Sequence, residues 1–269
     1  YSDDPAELFR PKISEEAGMN KKQILMVSRM QKAISVIQFK LEAEIINRNP
    51  DFEMADRNLL HLIDYKKGTI ALDGKEYQLK DTHFPTINPE NPYQLTEEEH
   101  EVMEKLRTSF MQSGRLKKHM KFLYAKGSMY LKYNENLLLH GCVPLNDDGT
   151  LMEMQFGDEA LSGAALVDKF DVASRKAYFT RNDKNPDTHA RDLVWYLWCG
   201  PKSPLFGKTK MATFERYFID EKETHKEEKN AYFRLNDNEE VLDRILQEFG
   251  LDPGHSHLIN GHVQKKVKK

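Results

Sequence analysis

The chain has 269 residues, 39% of them hydrophobic and 31% charged, with a formal net charge of -3 at pH 7. That balance fits a water-soluble globular protein with room for a sizeable core, and the lack of a strong positive field argues against nucleic acid as the main partner. Cys142 and Cys199 are the 2 cysteines; they are too few for a disulfide framework and point to a reducing cytoplasm. No apolar run approaches the roughly 18 residues needed to span a bilayer, and no secretory leader pattern opens the chain. The chain starts at Tyr1 and ends on Val-Gln-Lys-Lys-Val-Lys-Lys, directly after a Gly-His pair. It is read as a piece of a longer protein.

After an irregular approach broken by Pro5, Pro11 and Gly18, Val27, Met30, Ile34, Ile37, Leu41 and Ile45 recur at spacings of three and four. This predicts an amphipathic, core-facing helix from about Lys22 to Asn47, stopped by Pro50. A shorter helix is expected from Met54 to Tyr65. Asp73-Gly74 between the short runs 69–72 and 76–79 is a hairpin signal. Thr96, with Glu99 three residues on, forms a capping box, and the helix it opens is expected to run to about Tyr124.

The texture changes at Gly127. Met129 to Tyr133 and Leu137 to Cys142 read as an antiparallel strand pair, followed by helices over 163–180 and 187–199. A loop from Gly200 to Lys210 comes next, then a charged stretch over 220–236 expected to be exposed. Asp237 to Phe249 reads as a helix with Gly250 at its C′ position, and His257 to Asn260 as a strand. The predicted division is 1–126, mainly helical with one hairpin, and 127–269.

Two histidines share one local design. His140 follows three leucines and precedes Gly141; His262 follows Leu258-Ile259-Asn260 and Gly261. Groups at the carboxyl ends of strands gather at ligand sites in open α/β sheets, and a neutral imidazole suits manganese, zinc or iron. A packed core histidine is the competing reading for each, and His255 or His257 are competing ligands. A second candidate site is the loop that carries Lys202, Ser203, Lys208 and Lys210, whose ammoniums and hydroxyl suit a phosphate group; a plain solvated basic loop is the alternative.

The stretches Leu137-Leu-Leu-His-Gly-Cys-Val-Pro, Trp195-Tyr-Leu-Trp-Cys-Gly-Pro-Lys-Ser-Pro-Leu-Phe-Gly-Lys, Met211-Ala-Thr-Phe-Glu-Arg-Tyr-Phe and Ile259-Asn-Gly-His-Val together resemble the class III fructose-1,6-bisphosphatases. These are bacterial gluconeogenic enzymes of the calcineurin-like metallophosphoesterase superfamily, and the resemblance covers nearly the whole chain. It implies an α/β fold: the C-terminal portion of a metallophosphoesterase sandwich, with a mainly helical insertion that contains one β-hairpin. It implies two divalent metals, manganese foremost, with His140 and His262 as ligands. It also implies fructose 1,6-bisphosphate as substrate, with Ser203 to Lys208 near the sugar phosphate and Arg216 as a further phosphate contact. AMP as a regulator, a homo-oligomer and a cytoplasmic location belong to the same implication.

The first three superfamily motifs, which supply the remaining ligands and the catalytic His or Arg, are expected upstream of residue 1. No catalytic residue is therefore assigned within this chain, and the chain alone is expected to be inactive. The family's Gly-His-Val-Pro-Val-Lys reads here as Gly-His-Val-Gln-Lys-Lys. A phosphoesterase acting on a dinucleoside polyphosphate or a phosphoprotein, or a non-catalytic fragment, are the alternatives.

Overall fold

The computed structural model describes residues 1–12, 18–181, 184 and 186–261. In chain order its helices are α1 (Lys21–Arg48), α2 (Glu97–Gln112), α3 (Gly114–Lys126), α4 (Gly163–Phe179), α5 (Thr188–Cys199), α6 (Thr213–Phe218), α7 (Tyr232–Leu235) and α8 (Glu239–Glu248). Its strands are β1 (Ile63–Asp64), β2 (Thr69–Leu72), β3 (Lys75–Gln78), β4 (Tyr130–Tyr133), β5 (Asn136–Leu139), β6 (Met154–Phe156), β7 (Glu159–Leu161) and β8 (His257–Asn260). The chain is thus mixed α/β. It divides into two compact units, Tyr1–Gln112 with Ala212–Lys226, and Ser113–Met211 with Glu227–Lys269. The break falls at 112/113 where the sequence reading set it at 126/127, and the first unit recovers a later segment.

In the first unit, Asn20 and Gln23 form a capping box at the start of α1. The predicted core stripe is displaced. Val27, Met30 and Ile34 are exposed, while the buried face carries Val36, Ile37, Ala43 and Ile46 together with Lys32 and Lys40. Both ammoniums are paired: Lys32 Nζ lies 2.5 Å from Asp4 and 2.7 Å from Asp81, and Lys40 Nζ 2.7 Å from Glu99. A buried lysine survives as a cation only with such partners.

Asp73 and Gly74, at φ 51 and 77, close the β2–β3 hairpin as a two-residue turn whose two left-handed positions match strand twist. The expected helix over 54–65 is instead a series of 3-10 turns running into β1. Glu53, in the left-handed region at φ 54, breaks the chain just ahead of this segment. The Thr96–Glu99 capping box forms, at 2.9 and 3.2 Å. The helix it opens ends at Gln112, because extended Ser113 caps a new helix through Leu116 N–H.

In the second unit, Asn134 and Glu135 occupy the left-handed region and turn β4 back onto β5. β5 then pairs in parallel with β8, Leu139 opposite Asn260. Leu137 and Leu139 face a core with Val143, Leu145, Val167, Tyr232, Ile245 and Phe249. The β6–β7 hairpin around Gly157-Asp158 was not anticipated. Segment 220–236 is not uniformly exposed: Thr224, Asn230, Ala231 and Tyr232 are buried. At the end of α8, Gly250 at φ 70 lets Leu251 N–H reach Leu246 O and its own N–H reach Gln247 O, both at 2.9 Å. These are the two bonds of a Schellman motif.

Candidate functional site

Because β5 and β8 are parallel and in register, both leave the sheet at the same carboxyl edge, where α/β proteins gather ligand groups. β5 ends on buried Leu139 and the next residue, His140, is exposed. Gly141 follows, buried and pressed against the Pro204 backbone: a β-carbon there would lie 2.4 Å from Pro204 O and 3.2 Å from Leu205 O. Cys142 N–H donates to Pro204 O at 2.9 Å and Asn260 Nδ2 to Gly141 O at 3.3 Å. The strand end is therefore stitched to the 203–208 loop. Gly141→Ala is expected to cost about 1–3 kcal/mol through overpacking against backbone and to displace His140. Thermal unfolding of the full-length protein checks it; an unchanged midpoint would show that the loop yields freely.

The loop itself hangs from α5. Asp187 caps that helix through Ala190 N–H at 2.8 Å, and buried Tyr196 stacks on Phe170 of α4 with centroids 5.9 Å apart. Ser203 is fully buried. Its Oγ donates to Leu197 O at 2.6 Å and accepts from Leu205 and Phe206 N–H at 3.1 Å each. The hydroxyl expected to face a phosphate is thus spent on folding the loop.

Lys208 points its ammonium at Glu227, 2.7 Å away, with the Phe206 ring centroid at 5.8 Å. A short antiparallel bridge fixes this pair: Thr209 N–H donates to Glu228 O and Asn230 N–H to Gly207 O, each at 2.9 Å. Buried Asn230 extends the stitching to the chain after His140. Its Oδ1 accepts from Leu145 N–H at 3.0 Å and its Nδ2 donates to Leu145 O at 3.2 Å.

His140 and Lys208, from separate motifs, open on one cavity of about 630 Å³, whose walls also include Arg175, Asp171, Trp198 and Phe206. Sequence reasoning missed Arg175, Asp171, Asn230 and Glu227. Arg175 holds Asp171 at 2.7 Å through Nε and donates to the Tyr124 and Gly127 carbonyls, so it fixes the wall where α3 ends. Its only sequence signal is the Asp171–Arg175 spacing of four on a helix.

Lys202 and Lys210 lie half-buried in the same loop. Arg216 is on α6, in the other unit, donating to His225 O at 3.4 Å. His262 lies outside the described residues. Burial pushes the Cys142 thiol up to about 12, which makes it a packing group and not a nucleophile.

Among the described residues no three His, Cys, Asp or Glu side chains come together to hold a metal ion. An exposed imidazole at a strand's carboxyl end fits the donor chemistry of a divalent metal, but it supplies one ligand and not a complete set. No helix among the described residues is long and apolar enough to cross a membrane.

A positively charged loop sewn to a strand-end imidazole is suited to an anionic ligand such as a phosphate ester. Residues 1–269 match the family described as Firmicute fructose-1,6-bisphosphatase, and the chain belongs to that family. It is 55% identical over 269 residues to the fructose-1,6-bisphosphatase class 3 of Listeria innocua, and 54% identical over 268 residues to that of Clostridium botulinum strain Alaska E43. The enzyme of the same name from Alkaliphilus metalliredigens is 52% identical over 271 residues. Each alignment covers 100% of this chain and 41% of the relative, so the chain spans well under half the length of these proteins. No solved structure matches it.

Proposed function

We propose that this chain is the C-terminal part of a class 3 fructose-1,6-bisphosphatase, whose full-length form hydrolyses the 1-phosphate of fructose 1,6-bisphosphate to fructose 6-phosphate and inorganic phosphate in cytoplasmic gluconeogenesis. The observation that carries this beyond family membership is the shared cavity of His140 and Lys208 at the carboxyl edge of the parallel pair β5–β8. In this reading the β4–β5–β8 sheet is part of a metallophosphoesterase sandwich; β8 pairs on one side only among the described residues, which leaves an edge for further strands. The first unit is then the helical insertion.

His140 and His262 would hold divalent metal, manganese by the family resemblance, as neutral imidazoles. Bound metal supplies an acidified water and charge neutralisation at the reacting phosphate. The chain's own contribution is placement. Gly141 and Asn230 lock the His140 turn against the basic loop, Ser203 sets the loop's shape, and Lys208 presents an ammonium to phosphate oxygens. Lys202 and Lys210 are proposed as further cations for the bisphosphate. AMP as a regulator and assembly into a homo-oligomer are part of the same family-based reading.

The test is phosphate release by the full-length protein with manganese on fructose 1,6-bisphosphate, a dinucleoside polyphosphate and a phosphopeptide. Release is expected to be fastest from the sugar bisphosphate. A dinucleotide or phosphopeptide turned over faster would replace this assignment.

A further inference from the structure

We propose that Glu227 is a positioning residue for the phosphate-binding ammonium, holding Lys208 at the wall of the His140 cavity. The inference rests on the reading that Lys208 meets substrate phosphate. Three observations carry it. First, the carboxylate is the more deeply buried partner: Glu227's side chain is 10% exposed and Lys208's 36%. Second, Glu227 is placed by backbone and not by chance, since the bridge between Lys208 and Lys229 and its flanking hydrogen bonds hold 227–230 beside 207–209. Third, the Phe206 ring centroid lies 5.8 Å from the ammonium, within cation–π range.

A lysine on a flexible four-carbon stem loses rotamer freedom whenever it binds an anion. A fixed carboxylate and a ring meet that loss before substrate arrives, which is preorganisation in the ordinary sense. The opposing effect is repulsion between Glu227 and an incoming phosphate. The carboxylate is already ion-paired to the ammonium at 2.7 Å, which offsets part of that repulsion.

Steady-state kinetics on the full-length, manganese-loaded protein separates these possibilities. Lys208→Met is expected to raise KM for fructose 1,6-bisphosphate by roughly tenfold or more, because a charge-assisted bond to phosphate is lost. Glu227→Ala is expected to raise KM by about five- to tenfold with a much smaller change in kcat, the signature of lost ground-state binding. In the Lys208→Met background Glu227→Ala is expected to add nothing further, since it acts through the lysine. Glu227→Asp is expected to recover part of the KM. A lowered or unchanged KM in Glu227→Ala, or losses that simply add in the double variant, would overturn the positioning role while leaving the substrate site intact. An unchanged KM in Lys208→Met would instead overturn the reading on which the proposal stands.

Discussion

Replacing Lys32 by methionine is expected to destabilise the first unit by roughly 3–5 kcal/mol, because it strips the cation from a buried carboxylate while leaving the carboxylate in place. Lys32 and Asp4 are 0% and 1% exposed, and Asp81 supplies a second contact at 2.7 Å. Without the ammonium, Asp4 retains Ala6 N–H at 2.7 Å and His83 Nε2 at 4.0 Å, neither of which offsets loss of the contact pair.

The pH dependence separates this cause from lost packing. In the native chain burial pushes the Asp4 carboxyl up, but the Lys32 ammonium and Ala6 N–H outweigh it and hold the group below its usual value. A carboxyl depressed in the folded state contributes stability above its unfolded pKa, and that contribution disappears as pH falls through the folded value. In Lys32→Met the ammonium's contribution is gone while burial still opposes the charge, so Asp4 is expected to favour its protonated form on folding and the variant to regain stability in acid. Hydrogen exchange of the α1 amides in the full-length protein, taken from neutral pH toward pH 4, is therefore expected to show the two proteins converging. Parallel curves would assign the loss to packing alone.

The second large effect is at His140. His140 is an exposed residue, so His140→Ala is expected to leave unfolding within about 1 kcal/mol of the parent. Changes in the shell around a metal's ligands cost about 10–100-fold in affinity or activity. Removal of a ligand itself is expected to cost kcat/KM at least about a hundredfold, with most of the loss in kcat. A KM effect alone would place His140 with the substrate cations instead.

What the residues announced in advance follows from how local each signal is. Asp73-Gly74, the Thr96–Glu99 box and Gly250 act within four residues of themselves, and they turned, opened and ended their elements as read. The long-range pairings carried no such mark. On α1 the apolar spacing alone nominated Val27, Met30 and Ile34 for the core; the selected face was set by Asp4, Asp81 and Glu99, which lie 28, 49 and 59 residues from their lysines. Any reading that places charge outside places Lys32 and Lys40 on the wrong side.

The site divides the same way. The apolar run into His140-Gly141 identified the strand end, and the resemblance supplied a metal for it. The carbonyl of Pro204 against Gly141 explains the glycine as a close approach between two distant segments, which no spacing in either segment reveals. Ser203 shows the converse. A hydroxyl between lysines suggests phosphate, and only the fold shows its bonds taken up by Leu197, Leu205 and Phe206. Glu227 sits in a charged run whose ordinary meaning is a solvated face, until the backbone bridge at Lys208 brings it under the ammonium.

The central claim, that His140 stands at the metal edge of a phosphatase site, is tested most directly by manganese content. Full-length protein and its His140→Ala variant, purified alike and dialysed against the same low-micromolar manganese, are compared by elemental analysis. The parent is expected to retain close to two ions per protomer, the number a two-metal phosphoesterase centre holds, and the variant substantially fewer. Equal manganese in both, with folding intact, would contradict the claim and return His140 to the role of a surface residue at the end of a strand.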